Sequence, residues 1–511
     1  MLSKLLSFGL TGIEGYPVSV EIDISGGLPS FDLVGLADTS IKESKERVKS
    51  AIKNSGFEYP VNKITINLAP ADQKKERPIY DVAIAVAIIT AIEIMPAQKV
   101  KDYVILGELG LDGSVRPIQG ILPIIISARS KGFTKFVIPK GNEKEASFID
   151  NVEIISVSLL RDVFDFFCGT KIIDPLKPTN FTVLQQHNKG VGLDMKFVKG
   201  QSFAKRALEI AAAGGHNILL IGPPGSGKTM LAKCFPTILP DMTFEEALEA
   251  TKIHSVAGEL DPEDGIVLKR PFRTPHHTAS AVAMSGGGRL SKPGEVSLAH
   301  NGVLFLDELP EYPRTMLEAL RQPLEDGKIT VARAMQTVSY PSSFIMIASM
   351  NPCPCGNYGS KTGECNCSAG QIHKYLSKLS GPLMDRIDLH IEVDNVTYDD
   401  LNNEEDTENS QVIKSRVDIA REKQLERFKN SKTFFNAKMS PMQRKQFCNL
   451  DEEGKELLKL AFEKLNLSAR AHDRILKVAR TIADLDNSEN VLVKHISEAI
   501  QYRSMDNKYW T

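Results

Sequence analysis

Asn217-Ile-Leu-Leu-Ile-Gly-Pro-Pro-Gly-Ser-Gly-Lys-Thr229 sets an apolar run directly before a glycine-rich loop. Gly222, Pro223, Pro224, Gly225, Ser226, Gly227, Lys228 and Thr229 fill the pattern G-x-x-x-x-G-K-[ST] without a mismatch. The spacing predicts a strand before the loop and a helix from about Lys228. Glycines let backbone N–H groups close around phosphate oxygens, and a helix N-terminus favours negative charge there. Lys228 is expected at the β/γ-phosphates and Thr229 at Mg²⁺. ATP and Mg²⁺ are therefore the expected ligands.

Working downstream, the apolar run Val303–Leu306 leads into Asp307-Glu308. Asp307 is expected to hold Mg²⁺, and Glu308 to orient or deprotonate a water. Asn351 ends the next apolar run, placed for a γ-phosphate or the attacking water. Arg386 lies in Gly381-Pro-Leu-Met-Asp-Arg-Ile-Asp388, and Arg470 starts a helical segment at Ser468. Taken singly, either arginine reads better as a surface charge or a salt-bridge partner.

Apolar runs alternating with helical segments over residues 191–395 predict a parallel sheet with crossover helices. Upstream, residues 1–170 form an α/β unit: Pro17–Ile24 and Lys63–Leu68 alternate apolar and polar, Glu43–Ser55 has helical spacing, and Asp112-Gly113 suits a hairpin turn. Residues 171–190 read as a linker. Residues 396–511 are helical by pattern after an acidic, Asn-rich connection. The 62 Lys+Arg against 64 Asp+Glu exclude global basicity, so a nucleic-acid site must be local. The apolar run Val82–Ile92 is too short to span a bilayer, which takes about 20 residues. Seven cysteines, with no secretory signal, predict a cytoplasmic chain.

In their order, the phosphate loop, Asp307-Glu308, Asn351, Arg386 and Arg470 resemble the AAA+ set of Walker A, Walker B, sensor 1, arginine finger and sensor 2. Gly214-Gly-His-Asn217, Phe272-Arg-Thr-Pro-His-His277, Met350-Asn-Pro-Cys-Pro-Cys-Gly356 and Ser468-Ala-Arg-Ala-His-Asp-Arg474 are similar to the magnesium-chelatase-like branch. With Ser30-Phe-Asp-Leu-Val-Gly-Leu36 and Asn67-Leu-Ala-Pro-Ala-Asp72, the whole chain resembles the YifB/ComM family. The resemblance implies an AAA+ core, a C-terminal helical lid with sensor 2, and a homo-hexamer in which Arg386 reaches the neighbour's nucleotide. It further implies a DNA helicase driving branch migration, with branched, double- or single-stranded DNA as partner and no membrane. The rival reading is a chaperone-like remodeller of a protein partner, as in chelatase ATPase subunits.

The same resemblance gives the first domain a Lon-protease-like fold. Lon-type sites use a Ser nucleophile and a Lys base. Motif alignment puts Ile79 and Leu122 at those positions, and no serine occurs between Ser55 and Ser114. Aliphatic side chains neither attack nor accept a proton, so proteolysis is not expected. Arg77 stands where the family pattern has glycine.

Cys353, Cys355, Cys365 and Cys367 form two C-x-C pairs just after Asn351. Four thiolates can close a Zn²⁺ site; the alternative is reduced thiols or a disulfide, and His373 is a spare ligand. For DNA, Gly327–Tyr340 reads as a hairpin carrying Lys328 and Arg333, corresponding to the pre-sensor-1 hairpin of the branch. Arg273–Arg289, with His276 and His277, resembles its helix-2 insert. Six copies of a basic residue around a ring would let a nearly neutral chain hold phosphate; the alternative is a solvated exposed hairpin.

Overall fold

The computed structural model describes residues 1–187, 193–288, 291–332, 337–359, 364–396, 408–429, 431, 433–465, 467–503 and 509. The first α/β unit is built on a seven-stranded mixed sheet. Its order is Ser30–Val34, Lys63–Ala69, Glu14–Ser25, Leu2–Thr11, Tyr103–Ile105, Lys135–Pro139 and Glu153–Val157. Leu2–Thr11 and Glu14–Ser25 form a long antiparallel pair around Gly12. The apolar run that is too short for a bilayer becomes the helix Asp81–Ala91. Every one of its residues is buried, so it packs on all sides as an internal helix does.

The second unit is a five-stranded parallel sheet in the order Phe272–Arg273, Val303–Leu306, Ile345–Met350, Ile218–Ile221 and Leu389–Glu392. The three inner strands are buried at every residue, which is why they read as unbroken apolar runs. Because the strands are parallel, the loops after Ile221, Leu306 and Met350 emerge along one edge, where α/β sheets gather their ligands. The chain then forms a helical unit: Ser410–Arg427, Pro441–Phe447, Glu452–Lys464, Ala469–Leu485 and Val493–Gln501. The fold is thus a Lon-protease-like α/β domain, an AAA+ parallel-sheet core and a C-terminal helical lid. No described helix is long and apolar enough to cross a membrane.

The stretch read as a linker is not featureless. Phe181–His187 is helical, and Phe181 packs on Phe244 with ring centroids 5.5 Å apart. Phe181 and Leu184 cover a small apolar cluster with Phe148 and Met242. Three-residue apolar spacing was the local signal, hidden by the polar residues around it.

Candidate nucleotide site and its surroundings

The phosphate loop leaves Ile221 and enters the helix Lys228–Cys234 through Gly227, whose φ of +88° is left-handed and suits glycine. Lys228 Nζ donates to Gly222 O and Pro223 O, both at 2.8 Å, and to Asn351 Oδ1 at 3.3 Å. Burial pushes the Lys228 ammonium down to about 8, against the opposing pull of Asp307 and Glu308. Thr229 Oγ1 donates to Asp307 Oδ2 at 3.0 Å, and Ser349 Oγ donates to Asp307 Oδ1. Four residues predicted separately, Lys228, Thr229, Asp307 and Asn351, therefore meet through direct hydrogen bonds. Ser349 was not predicted, since a serine inside an apolar strand carries no signal of its own.

Glu308 stands at the rim. Its φ is +55°, and its side chain is 58% exposed, free to face a water rather than the core. His277 Nδ1 lies 4.0 Å from Glu308 Oε2. The loop carrying His277 is held from below, where Tyr312 donates to Pro275 O at 2.7 Å. His276 and His277 do not lie on a strand. They sit in a turn, and their rings lie 4.1 Å apart at the centroids. His277 thus faces the acidic pair, an arrangement sequence spacing does not predict.

Arg273 also departs from its expectation as a DNA contact. It belongs to the edge strand, and its guanidinium is committed to Glu295, at 2.7 and 2.8 Å, and to Glu259, at 2.9 Å. A forked, charge-assisted pair of this kind is strongly orienting. His276 is engaged locally with Thr278. Lys328 is exposed on the strand Lys328–Ala332, which pairs antiparallel with Thr337–Pro341, so the hairpin is present. Arg333, expected near its tip, lies outside the described residues.

Arg386 is only 8% exposed, pairs with Glu325 and donates to Pro382 O at 2.6 Å, while its Nε has no partner among the described residues. Arg470 is exposed and 3.7 Å from Asp385. Neither touches the phosphate loop of its own chain through a described bond. Two residues on from Arg386, Asp388 is buried. Burial would raise its carboxyl, but Arg474 and His216 hold it well below the usual carboxylate range. His216 also bonds Thr481 Oγ1 at 2.8 Å. This network ties the strand Leu389–Glu392 to the lid helix Ala469–Leu485.

Cys353, Cys355, Cys365 and Cys367 have all four sulfurs within 4.8 Å of one another, as free thiols. His373 does not belong to the group.

The N-terminal domain contrasts with all this. Ile79 and Leu122 are 2% and 1% exposed. The Leu122 N–H donates to Glu145 Oε1 at 3.1 Å, and Ser255 Oγ donates to the same oxygen. Ser255 lies on the AAA+ helix Phe244–Ala257, and its Oγ accepts from Gly120 N at 3.0 Å. Arg77, at φ +72°, donates to Val256 O at 3.2 Å, near the C-terminal end of that helix. So the face around Leu122 and Arg77 seats the ATPase core. Ile13 also packs on the apolar face of the Lys328–Pro341 hairpin, with Ile329, Val331, Val338 and Tyr340.

Comparison with known proteins agrees with this architecture. Family profiles described as "Magnesium chelatase, subunit ChlI", "Subunit ChlI of Mg-chelatase" and "Magnesium chelatase, subunit ChlI C-terminal" match residues 194–401, 20–142 and 407–503. The chain is 43% identical to the "Uncharacterized protein YifB" of Escherichia coli (strain K12), over 97% of this chain and 96% of that protein. It is 43% identical to the "Competence protein ComM" of Haemophilus influenzae, over 99% and 98%. The chain belongs to the YifB/ComM family of magnesium-chelatase-like AAA+ proteins. It is accordingly an ATPase of that family, using ATP and Mg²⁺. Weaker, partial similarity to the "Lon protease" of Bacillus thuringiensis is 27% identity over 30% of this chain and 21% of that protein.

Proposed function

We propose that this chain is a ring-forming, ATP-driven DNA translocase that promotes branch migration of recombination intermediates. The observation that carries the reading is the joined Lys228–Asn351 and Thr229–Asp307 pairs beside an exposed Glu308, within a full-length match to a competence protein. Lys228 and the loop amides bind the terminal phosphates. Thr229 and Asp307 are the residues that would hold Mg²⁺, which when bound neutralises charge on the β- and γ-phosphate oxygens. Glu308 takes the proton of the attacking water. Asn351 reports the γ-phosphate to the strand Ile345–Met350, and Arg470 does so to the lid. Arg386, near the end of the core sheet, serves the nucleotide of the next subunit in a hexamer, which makes hydrolysis depend on the ring.

The hairpin Lys328–Pro341 belongs to the same core, and its exposed Lys328, with Arg333 as the second basic residue of that segment, is the DNA-backbone contact. Such contacts fix position rather than sequence, as a motor requires. His277 brings the insert loop, with its neighbour His276, to 4.0 Å from Glu308, so DNA on that loop can bear on hydrolysis. The chain acts in the cytoplasm. The four cysteines would hold Zn²⁺: Zn–S bonds of about 2.3 Å call for sulfurs about 3.8 Å apart, and the pairs among Cys353, Cys355 and Cys365, at 3.3, 3.7 and 3.6 Å, with Cys367 within 4.8 Å of each, fit that donor set.

The test is strand exchange on a fluorescent four-way junction at fixed salt, with ATP. ATP-dependent resolution of the junction, absent without Mg²⁺, is the expected result. Failure on every branched, double- and single-stranded substrate would overturn the reading and favour the rival, a chaperone-like remodeller of a protein partner.

A further inference from the structure

We infer that the four-cysteine loop is a brace for the phosphate loop, so that its metal sets nucleotide affinity. The inference rests on the zinc reading above and adds to it a second observation, the contact between the two loops. Gly356 lies inside the cysteine loop, between Cys355 and Asn357. A Cβ built on Gly356 would lie 2.4 Å from Cδ and 2.8 Å from Cγ of Pro224. The backbone of the cysteine loop therefore presses directly on the ring of the third residue of the phosphate loop. Only a glycine permits that approach, and its φ of +85° is itself left-handed.

The cysteine loop is anchored at both ends of this contact. Cys353 is fully buried, and it accepts from Tyr358 N at 3.3 Å, while Gly356 N donates to Cys353 O at 3.0 Å. These bonds wrap the backbone around the sulfur. Two residues before Cys353, Asn351 accepts from Lys228. The loop thus touches the nucleotide site twice, at Pro224 through Gly356 and at Lys228 through Asn351. Pro352, Cys353 and Gly356 are buried, but the other residues of 351–359 are half-buried or exposed, so four metal–sulfur bonds would add rigidity that packing alone does not supply. A rigid segment holds Pro224 and Asn351 in the geometry that phosphate needs. A slack one lets both drift, and binding must then reorder them at a cost in affinity.

The experiment uses the full chain purified under reducing conditions. Zinc is measured by atomic emission, and affinity by titration with a fluorescent ATP analogue in Mg²⁺. The expected results are about one zinc per chain and at least a tenfold loss of affinity after extraction with a zinc chelator. Added Zn²⁺ should restore it, and extra Mg²⁺ should not. Gly356→Ala is the separating variant: it should keep its zinc and still lose affinity by a similar factor. A chain that neither carries zinc nor takes it up would overturn the zinc reading beneath the inference. A chain that loses its zinc with no change in affinity, or a Gly356→Ala chain that binds nucleotide like the wild type, would overturn the brace and leave the metal site standing.

Discussion

Two regions of this molecule, one in each α/β domain, have opposite contents. The nucleotide site gathers Lys228, Thr229, Asp307 and Asn351 by direct hydrogen bonds and leaves Glu308 exposed. The region that aligns with a protease dyad has Ile79 and Leu122, both buried, and Gly120, beside Leu122, bonds a helix of the neighbouring domain. A chemical site needs polar groups that are held in place yet still accessible. The first region keeps both properties. The second has packing in their place, with Glu145 and Arg77 turned toward the helix Phe244–Ala257. One α/β domain carries the chemistry, and the other mounts it.

The largest effect expected is at Arg386. A cation delivered to a phosphoryl-transfer site is worth about 10³–10⁵ in rate. Arg386→Ala should lose turnover on that scale while still binding ATP. Mixed with Lys228→Ala, which lacks its own nucleotide, it should regain activity, because each variant supplies what the other lacks. No recovery in mixed rings would remove Arg386 from the nucleotide cleft. Next, the second region is challenged by Ile79→Ser with Leu122→Lys. The account predicts no peptide cleavage and a loss of about 3–5 kcal/mol in thermal or denaturant unfolding, since an unpaired charge would be buried. Cleavage of a peptide would collapse the contrast.

Two smaller effects follow from titration. Lys228 is held down to about 8 by burial, and a bound phosphate raises it again. Near pH 9, ATP binding should therefore take up a large fraction of a proton. At pH 6.5, where Lys228 is already charged, that uptake should vanish. Calorimetry in buffers of different ionisation enthalpy measures this. Burial raises Glu145 to about 7. Its protonated form favours the folded state, so this contribution is complete below the ordinary carboxylate range and fades as pH climbs through 7. Glu145→Gln mimics the neutral form. It should be more stable than wild type by about 1–2 kcal/mol at pH 8, with the gap closing at pH 5. The same gap at both values would contradict the burial of Glu145 against Ser255.

How much could be read beforehand depends on the distance between cause and effect along the chain. The strand–loop–helix at Ile218–Cys234, the buried strands, the hairpin at Lys328–Pro341 and the lid helices are local patterns, and the sequence carries them. The sheet order, which brings Asp307 and Asn351 to Lys228, is set by tertiary packing. Arg273 looked available because its partners, Glu259 and Glu295, lie 14 residues before it and 22 after it. His277 near Glu308 and Gly356 against Pro224 are contacts between loops with no periodicity of their own. Arg77 was visible only as a departure from the family pattern. The structure supplies its reason, a left-handed backbone that turns its guanidinium toward Val256.

If the nucleotide site drives motion on DNA, its turnover must respond to DNA. The most direct measurement is ATP hydrolysis with and without four-way-junction, double-stranded and single-stranded DNA, alongside Glu308→Gln. Salt must be held constant, because phosphate contacts weaken steeply with it. The account predicts turnover that rises with DNA and falls about 10²–10⁴-fold in Glu308→Gln, with ATP still bound. Robust turnover indifferent to every DNA, or undiminished in Glu308→Gln, would contradict it.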